Sequence, residues 1–176
     1  IPSDLLAGGF NMFNAADSNI VHGYGNTVSG NNSIVSGTNN IVETDVNSCL
    51  LVGKNCNLDR NSFGSFVSGV SLFNPNGIAV VGGITSSGAM AQGFNTSETS
   101  SIVGSNEGAF ARGFVGPKGK GILSVGSGSV ASGASLSGSV ISSGSGSHAF
   151  GVDVAAYGRG SIVCGESIID NRDNCF

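Results

Sequence analysis

The chain has 176 residues, of which 30 are glycine and none tryptophan, and only 10% are charged. A net charge of −4 with seven basic residues excludes the clustered Lys/Arg footprint of a nucleic-acid binder, and no apolar run reaches the ~18 residues of a membrane-spanning helix. A hydrophobic share of 39% with so little charge also excludes the composition of a disordered chain.

The chain begins at Ile1 without a methionine, which predicts a mature or excised piece whose targeting information lies elsewhere. Residues Ile1–Asp17 carry bulk at Leu5, Leu6, Phe10, Met12 and Phe13 and obey no period. A stack of strands exposes a sheet edge at each end, so this segment is expected to be an N-terminal cap or docking piece.

From Ser18 a seven-residue phrase repeats: SNIVHGY, GNTVSGN, NSIVSGT, NNIVET. Gly23, Gly30 and Gly37 are seven apart, as are Asn19, Asn26, Ser33, Asn40 and Asn47. Fixed-period self-similarity is the signature of a repeat architecture. The phrase is traceable to Gly165, giving a repeat array over 18–165 and a C-terminal tail over 166–176. Its step lengthens mid-chain, which predicts loops inserted between regular strands, with Pro75, Pro117 and the run GPKGKG at Gly116–Gly121 lying in them.

Residues two apart share a face of a strand. Two before the glycines stand Val21, Val28, Val35, Leu51, Val67, Val80, Ala91, Ile102, Ala111, Ser124, Ala131, Ser142, Ala149, Ala156 and Val163. These small residues predict the interior of a thin coil, with Asn and Ser bonding to the backbone near its turns. The opposite face carries Ile20, Ile34, Phe66, Met90, Phe110 and Ile162. Each forgoes roughly 1.5–3 kcal/mol if left in water, so these six residues are the candidate interface with further copies of the chain. Two phrases suffice for two short strands and two turns, which predicts an all-β, flattened parallel β-roll with two sheets; the glycine frequency and the period exclude helices.

SIVSG at Ser33–Gly37, SVASG at Ser129–Gly133 and SIVCG at Ser161–Gly165 resemble the phrase that builds the head domains of trimeric autotransporter adhesins of the Yersinia adhesin type. The resemblance covers roughly Ser18–Gly165. It implies a left-handed parallel β-roll of two seven-residue phrases per coil, assembled as a parallel homotrimer, of a kind also used in phage and viral surface fibres. The irregular middle and the Lys118/Lys120 loop depart from the family phrase.

Four cysteines lack CxxC or zinc-ligand spacing. They are expected to be small hydrophobes, with Cys164 and Cys175 the candidate disulfide because a bridge there would pin the end of the array. Ser145 or Ser147 with His148 and Asp153 forms a hydrolase-like grouping, and no G-x-S-x-G elbow accompanies it. Lys120 is followed by Gly121, which rules out a phosphate loop, and Asp never recurs at the nine-residue step of a calcium roll. Glu43 with Asp45 reads as a solvated strand end, and the sequons at Asn31 and Asn95 as turn residues in an Asn/Ser-rich chain.

The function these features predict is a non-catalytic structural and adhesive fibre module without cofactor, a trimeric rod on a cell or virion surface. Its partners are its own copies and a host surface protein or glycan, with no nucleic acid and no membrane insertion, and Lys118 and Lys120 form the candidate ligand-contact loop. The alternatives are an ice-binding β-solenoid and a solenoid carbohydrate-active enzyme.

Overall fold

The computed structural model describes residues 5–13, 18–74, 77–81 and 86–176, and every regular element among them is a β-strand. Two ten-stranded parallel sheets form the walls of a β-solenoid, the chain passing from one sheet to the other and back in each coil. One sheet takes the longer strands, from Ile20–Tyr24 and Ile34–Thr38 through Phe66–Ser71 and Met90–Asn95 to Ile162–Glu166. The other takes short ones, such as Thr27–Val28, Ile78–Val81, Ile122–Ser124 and Ala155–Ala156. The two phrases of a coil are therefore unequal. One becomes a strand with its glycine inside, and the other a brief strand whose glycine lies beyond it at Gly30, Gly126, Gly144 and Gly158.

Described parts of the N-terminal segment join the stack. Leu5–Ala7 pairs with Ile20–His22, and Met12–Phe13 with Thr27–Val28, as the terminal strands of the two sheets. In the tail, Ile169–Asp170 is the last strand of the short-strand sheet.

The glycines of the long strands form a column at matching register: Gly23, Gly37, Gly53, Gly69, Gly93, Gly113, Gly133, Gly151 and Gly165. Their φ angles run from +119° to +154°. A Cβ on any of them except Gly165 would sit within 2.0 Å of the next glycine's carbonyl oxygen. Only glycine meets both conditions.

Buried Val21, Val35, Leu51, Val67, Ala91, Ala111, Ala131, Ala149 and Val163 line the long-strand wall, as parity predicts. Val28, Val42, Ile102, Ser124, Ser142 and Ala156 are likewise buried in the opposite half of the coil; the side chain of Val80 falls outside the described set. The two walls compensate in volume. Where the long wall shrinks to Ala91 and Ala111, the short wall supplies Ile102 and Ile122, whose Cδ1 atoms lie over Gly93 and Gly113.

The N-terminal coils place asparagine in that slot instead. Asn26 Oδ1 accepts both the backbone N–H and the side-chain amide of Asn40, and Asn40 Oδ1 accepts the N–H of Cys56. Further along, the N–H groups of Ile102, Ile122 and Val140 go to the carbonyls of Gly77, Ser101 and Gly121. The inserted loops thus provide the acceptor that the asparagine provides in the uninserted coils, and the slot is free to become apolar. Toward the C-terminus, buried hydroxyl pairs Ser124–Ser129 and Ser142–Ser147, each 2.7 Å, satisfy the serines of the core.

Candidate functional site

Most of the extra residues collect at one corner of the roll, while the coils from Ile34 to Leu50 and from Leu50 to Phe66 carry theirs on the return from the short strands. Register partners rise from fourteen apart (Ile20 and Ile34) to 24 apart (Phe66 and Met90) and return to fourteen at His148 and Ile162. At the C-terminal end of the long strands the extra residues stack as a ledge: Leu72–Asn74, Thr96–Ser101, Gly116–Gly121 and Leu136–Ser139. Backbone bonds tie layer to layer, Thr96 N–H to Val115 O, Gly116 N–H to Ser135 O and Lys120 N–H to Gly138 O. Pro75 and Gly82 lie outside the described residues, while exposed Pro117 sits in a turn off the ladder.

The structure brings the six outward residues into one file. Register runs Ile20, Ile34, Leu50, Phe66, Met90, Phe110, Val130, His148, Ile162 along the outer face of the long-strand sheet. Ile20, Ile34, Leu50, Met90 and Ile162 are exposed, and Phe66, Phe110 and Val130 are half-buried by their neighbours in the file. Four residues further along the strands from Met90 and Phe110, Phe94 and Phe114 stack with ring centroids 6.1 Å apart, and both are exposed. Phrase-by-phrase reading missed Phe94 and Phe114 because they follow the glycine, beyond the five-residue core of the phrase.

Lys118 and Lys120 are both exposed on the ledge. Lys120 lines a groove of about 210 Å³ at the end of the ledge, and Lys118 is not part of its wall. Asp153 lies in the same groove, at a tight turn with φ +50°. Its Oδ1 accepts the N–H of Leu136 at 2.9 Å, and its Oδ2 the N–H and hydroxyl of Ser137 at 3.0 Å. Burial alone would raise its pKa; the N–H groups of Leu136, Gly138 and Ser137 outweigh that and hold the carboxyl below its ordinary range.

The hydrolase-like grouping has its hydrogen bonds committed to the fold. Ser147 Oγ donates to Gly144 O at 2.6 Å, and Asp153 serves the ledge as described. His148 takes the eighth place in the apolar file, its ring 5.8 Å from that of Phe150. Glu43 pairs with Arg60 at 3.3 Å. Asn95 of the second sequon is buried, and its amide donates to Ser100 O.

Cys49 and Cys56 are buried and free, as small hydrophobes are expected to be. Burial pushes the Cys56 thiol up to about 12 and raises that of Cys49 as well. Cys164 and Cys175 also carry free thiols and line one concavity of about 240 Å³ at the C-terminal end of the roll. Beside them Asp170 accepts from Arg172 Nε at 2.9 Å, which holds its carboxyl well below the usual range. No group of three or more His, Cys, Asp or Glu arranged for a metal occurs among the described residues.

Comparison with protein-family models, with curated proteins and with solved structures returns no match.

Proposed function

We propose that this chain is a module of an extracellular surface fibre, in which three parallel copies of a left-handed roll pack side by side and hold the ledge of loops outward for attachment. The observation that carries this reading is the apolar file from Ile20 to Ile162, in unbroken register except for His148. Strand spacing of about 4.8 Å sets its side chains at a rigid, regular interval. A contiguous apolar strip of that length exceeds what a monomer ordinarily leaves in water, and identical rods close such strips against one another by rotational symmetry. The resemblance of the phrase to the heads of trimeric adhesins supports three as the copy number and left as the hand of the coil. The outward strand rows hold Thr27 and Thr38 among Ile, Phe, Met and Arg, so the ice-binding alternative has no threonine array to rest on.

The role is architectural and adhesive, without catalysis or cofactor, on the surface of a cell or virion. Sedimentation equilibrium of the purified chain tests it: three times the chain mass at micromolar concentration is expected, and a stable monomer would sink the assembly.

A further inference from the structure

The groove at the end of the ledge arises from the way the insertions stop. Leu136–Ser139 is the last inserted layer, and the next coil turns tightly at Asp153. The ledge therefore overhangs a lower coil. The outward row of the short-strand sheet beneath it reads Leu123, Ile141, Ala155, Ile169. Ala155 is small and buried between two larger neighbours, so the row dips there. Ile141, Ala155 and Ile169 make the floor, a distance of about 10 Å over two strand spacings. Lys120 and Ser139 stand on the ledge side, and the half-exposed ring of Tyr157 stands on the other.

We propose that this groove binds a carboxylated sugar residue of a glycan. Four features select that chemistry. The volume, about 210 Å³, admits a single sugar ring and little more. The apolar floor and the tyrosine ring offer flat surfaces for the C–H face of a pyranose, and the phenol and the Ser139 hydroxyl can bond to its hydroxyls. Lys120 makes no salt bridge among the described residues, so its ammonium is available to an anion. The one carboxylate in the groove, Asp153, forms no ion pair with Lys120; its oxygens accept from the N–H and O–H groups of Leu136 and Ser137. The groove lies on the short-strand sheet, on the far wall from the Ile20–Ile162 file. It thus stays open when copies meet through that file.

The proposal deepens the ligand-presenting part of the proposed function and is independent of the trimer, since a single chain builds the whole groove. Titration of the full chain with methyl glucuronide and methyl glucoside, followed by NMR or calorimetry, tests it. The glucuronide is expected to bind at least about tenfold tighter at low salt, weakening as salt is added. Lys120→Ala should abolish that preference, Lys118→Ala should leave it intact, and Tyr157→Ala should weaken both sugars. Circular dichroism melts of all three variants should match the parent, because all three side chains are on the surface. Equal affinity for the two sugars, an equal effect of Lys118→Ala and Lys120→Ala, or no binding at concentrations on the order of 50 mM would each overturn the proposal. Sedimentation of the same samples separates such a failure from a failure of the trimer.

Discussion

Gly113 and Gly133 are register partners on neighbouring strands, and a Cβ built on Gly113 would stand 1.9 Å from the carbonyl oxygen of Gly133. The strands are held at hydrogen-bonding distance, so neither can retreat without breaking its ladder. Gly113 also has φ +144°, a region closed to side chains. Gly128 differs: its φ is +64° and no heavy atom beyond its chain neighbours lies within 4 Å of where its Cβ would stand. Gly113→Ala is therefore expected to cost well over the ~1–3 kcal/mol of the backbone strain alone, and Gly128→Ala about 1 kcal/mol. Denaturant unfolding followed by circular dichroism gives both numbers; equal losses would mean the column is not a steric one.

The asparagine ladder gives a second expectation. Asn40 supplies the acceptor for the N–H of Cys56 and donates its amide to Gly53 O at 3.0 Å. Asn40→Ala leaves these groups buried without partners, at ~1–3 kcal/mol each. A loss of about 3 kcal/mol or more is expected on unfolding, with the Cys56 amide exchanging faster in hydrogen-exchange NMR. Retained stability and unchanged exchange would show that water replaces the side chain.

What the sequence made legible was the alternation. The Val and Ala of each phrase fall inside and Ile20, Ile34 and Met90 outside, because a strand's two-residue period leaves no other choice once the glycine is placed. Hidden was the difference between the two glycines of a coil. Gly37 and Gly30 stand in near-identical phrases, yet only Gly37 needs φ +125°. The reason lies in which strand each coil lengthens, a property of pairing between coils. Equally hidden was the groove, since Lys120, Asp153 and Ile169 converge only when coils of unequal length are stacked. The insertions break the period, so their register had to come from the fold.

The cysteines should divide into two classes toward a thiol reagent. Exposed Cys164 is expected to react in the native state. Cys175 should react more slowly at neutral pH, because its hydrogen bond to the Asp170 carboxylate raises its pKa. Buried Cys49 and Cys56 should react only on unfolding. The raised Cys56 value adds a pH dependence. Below its ordinary 9.0 the thiol is protonated folded and unfolded alike, and between there and about 12 the unfolded chain ionises first. Stability is therefore lost as pH rises through that window. Cys56→Ala should remove this part of the alkaline loss, and an unchanged alkaline limb would assign it elsewhere.

Asp153 sets the opposite limb. Its carboxyl is held below the ordinary value in the folded state, so its contribution is present above that value and disappears as pH falls through the lowered one. Asp153→Asn retains one acceptor oxygen and loses the charge. The variant is expected to be less stable at neutral pH and to show a shallower decline below pH ~4 than the parent chain. Parallel acid melting curves for the two proteins would contradict this.

Met90 and Phe110 are register partners in the outward file, near the middle of its length. In a trimer built through the file, Met90→Glu places three carboxylates near one axis, where like charges repel by several kcal/mol. In a monomer the same change puts a charge on an exposed position and costs within about 0.5 kcal/mol. The variant is thus expected to sediment as a single chain while keeping the circular dichroism spectrum of the parent. Leu123→Glu, on the opposite sheet, should keep the parent's mass. If Met90→Glu retains the parent's mass as well, the assembly uses another surface. If both variants fall apart, the loss is one of fold and not of interface. Only the split outcome assigns contact to the row that runs from Ile20 to Ile162.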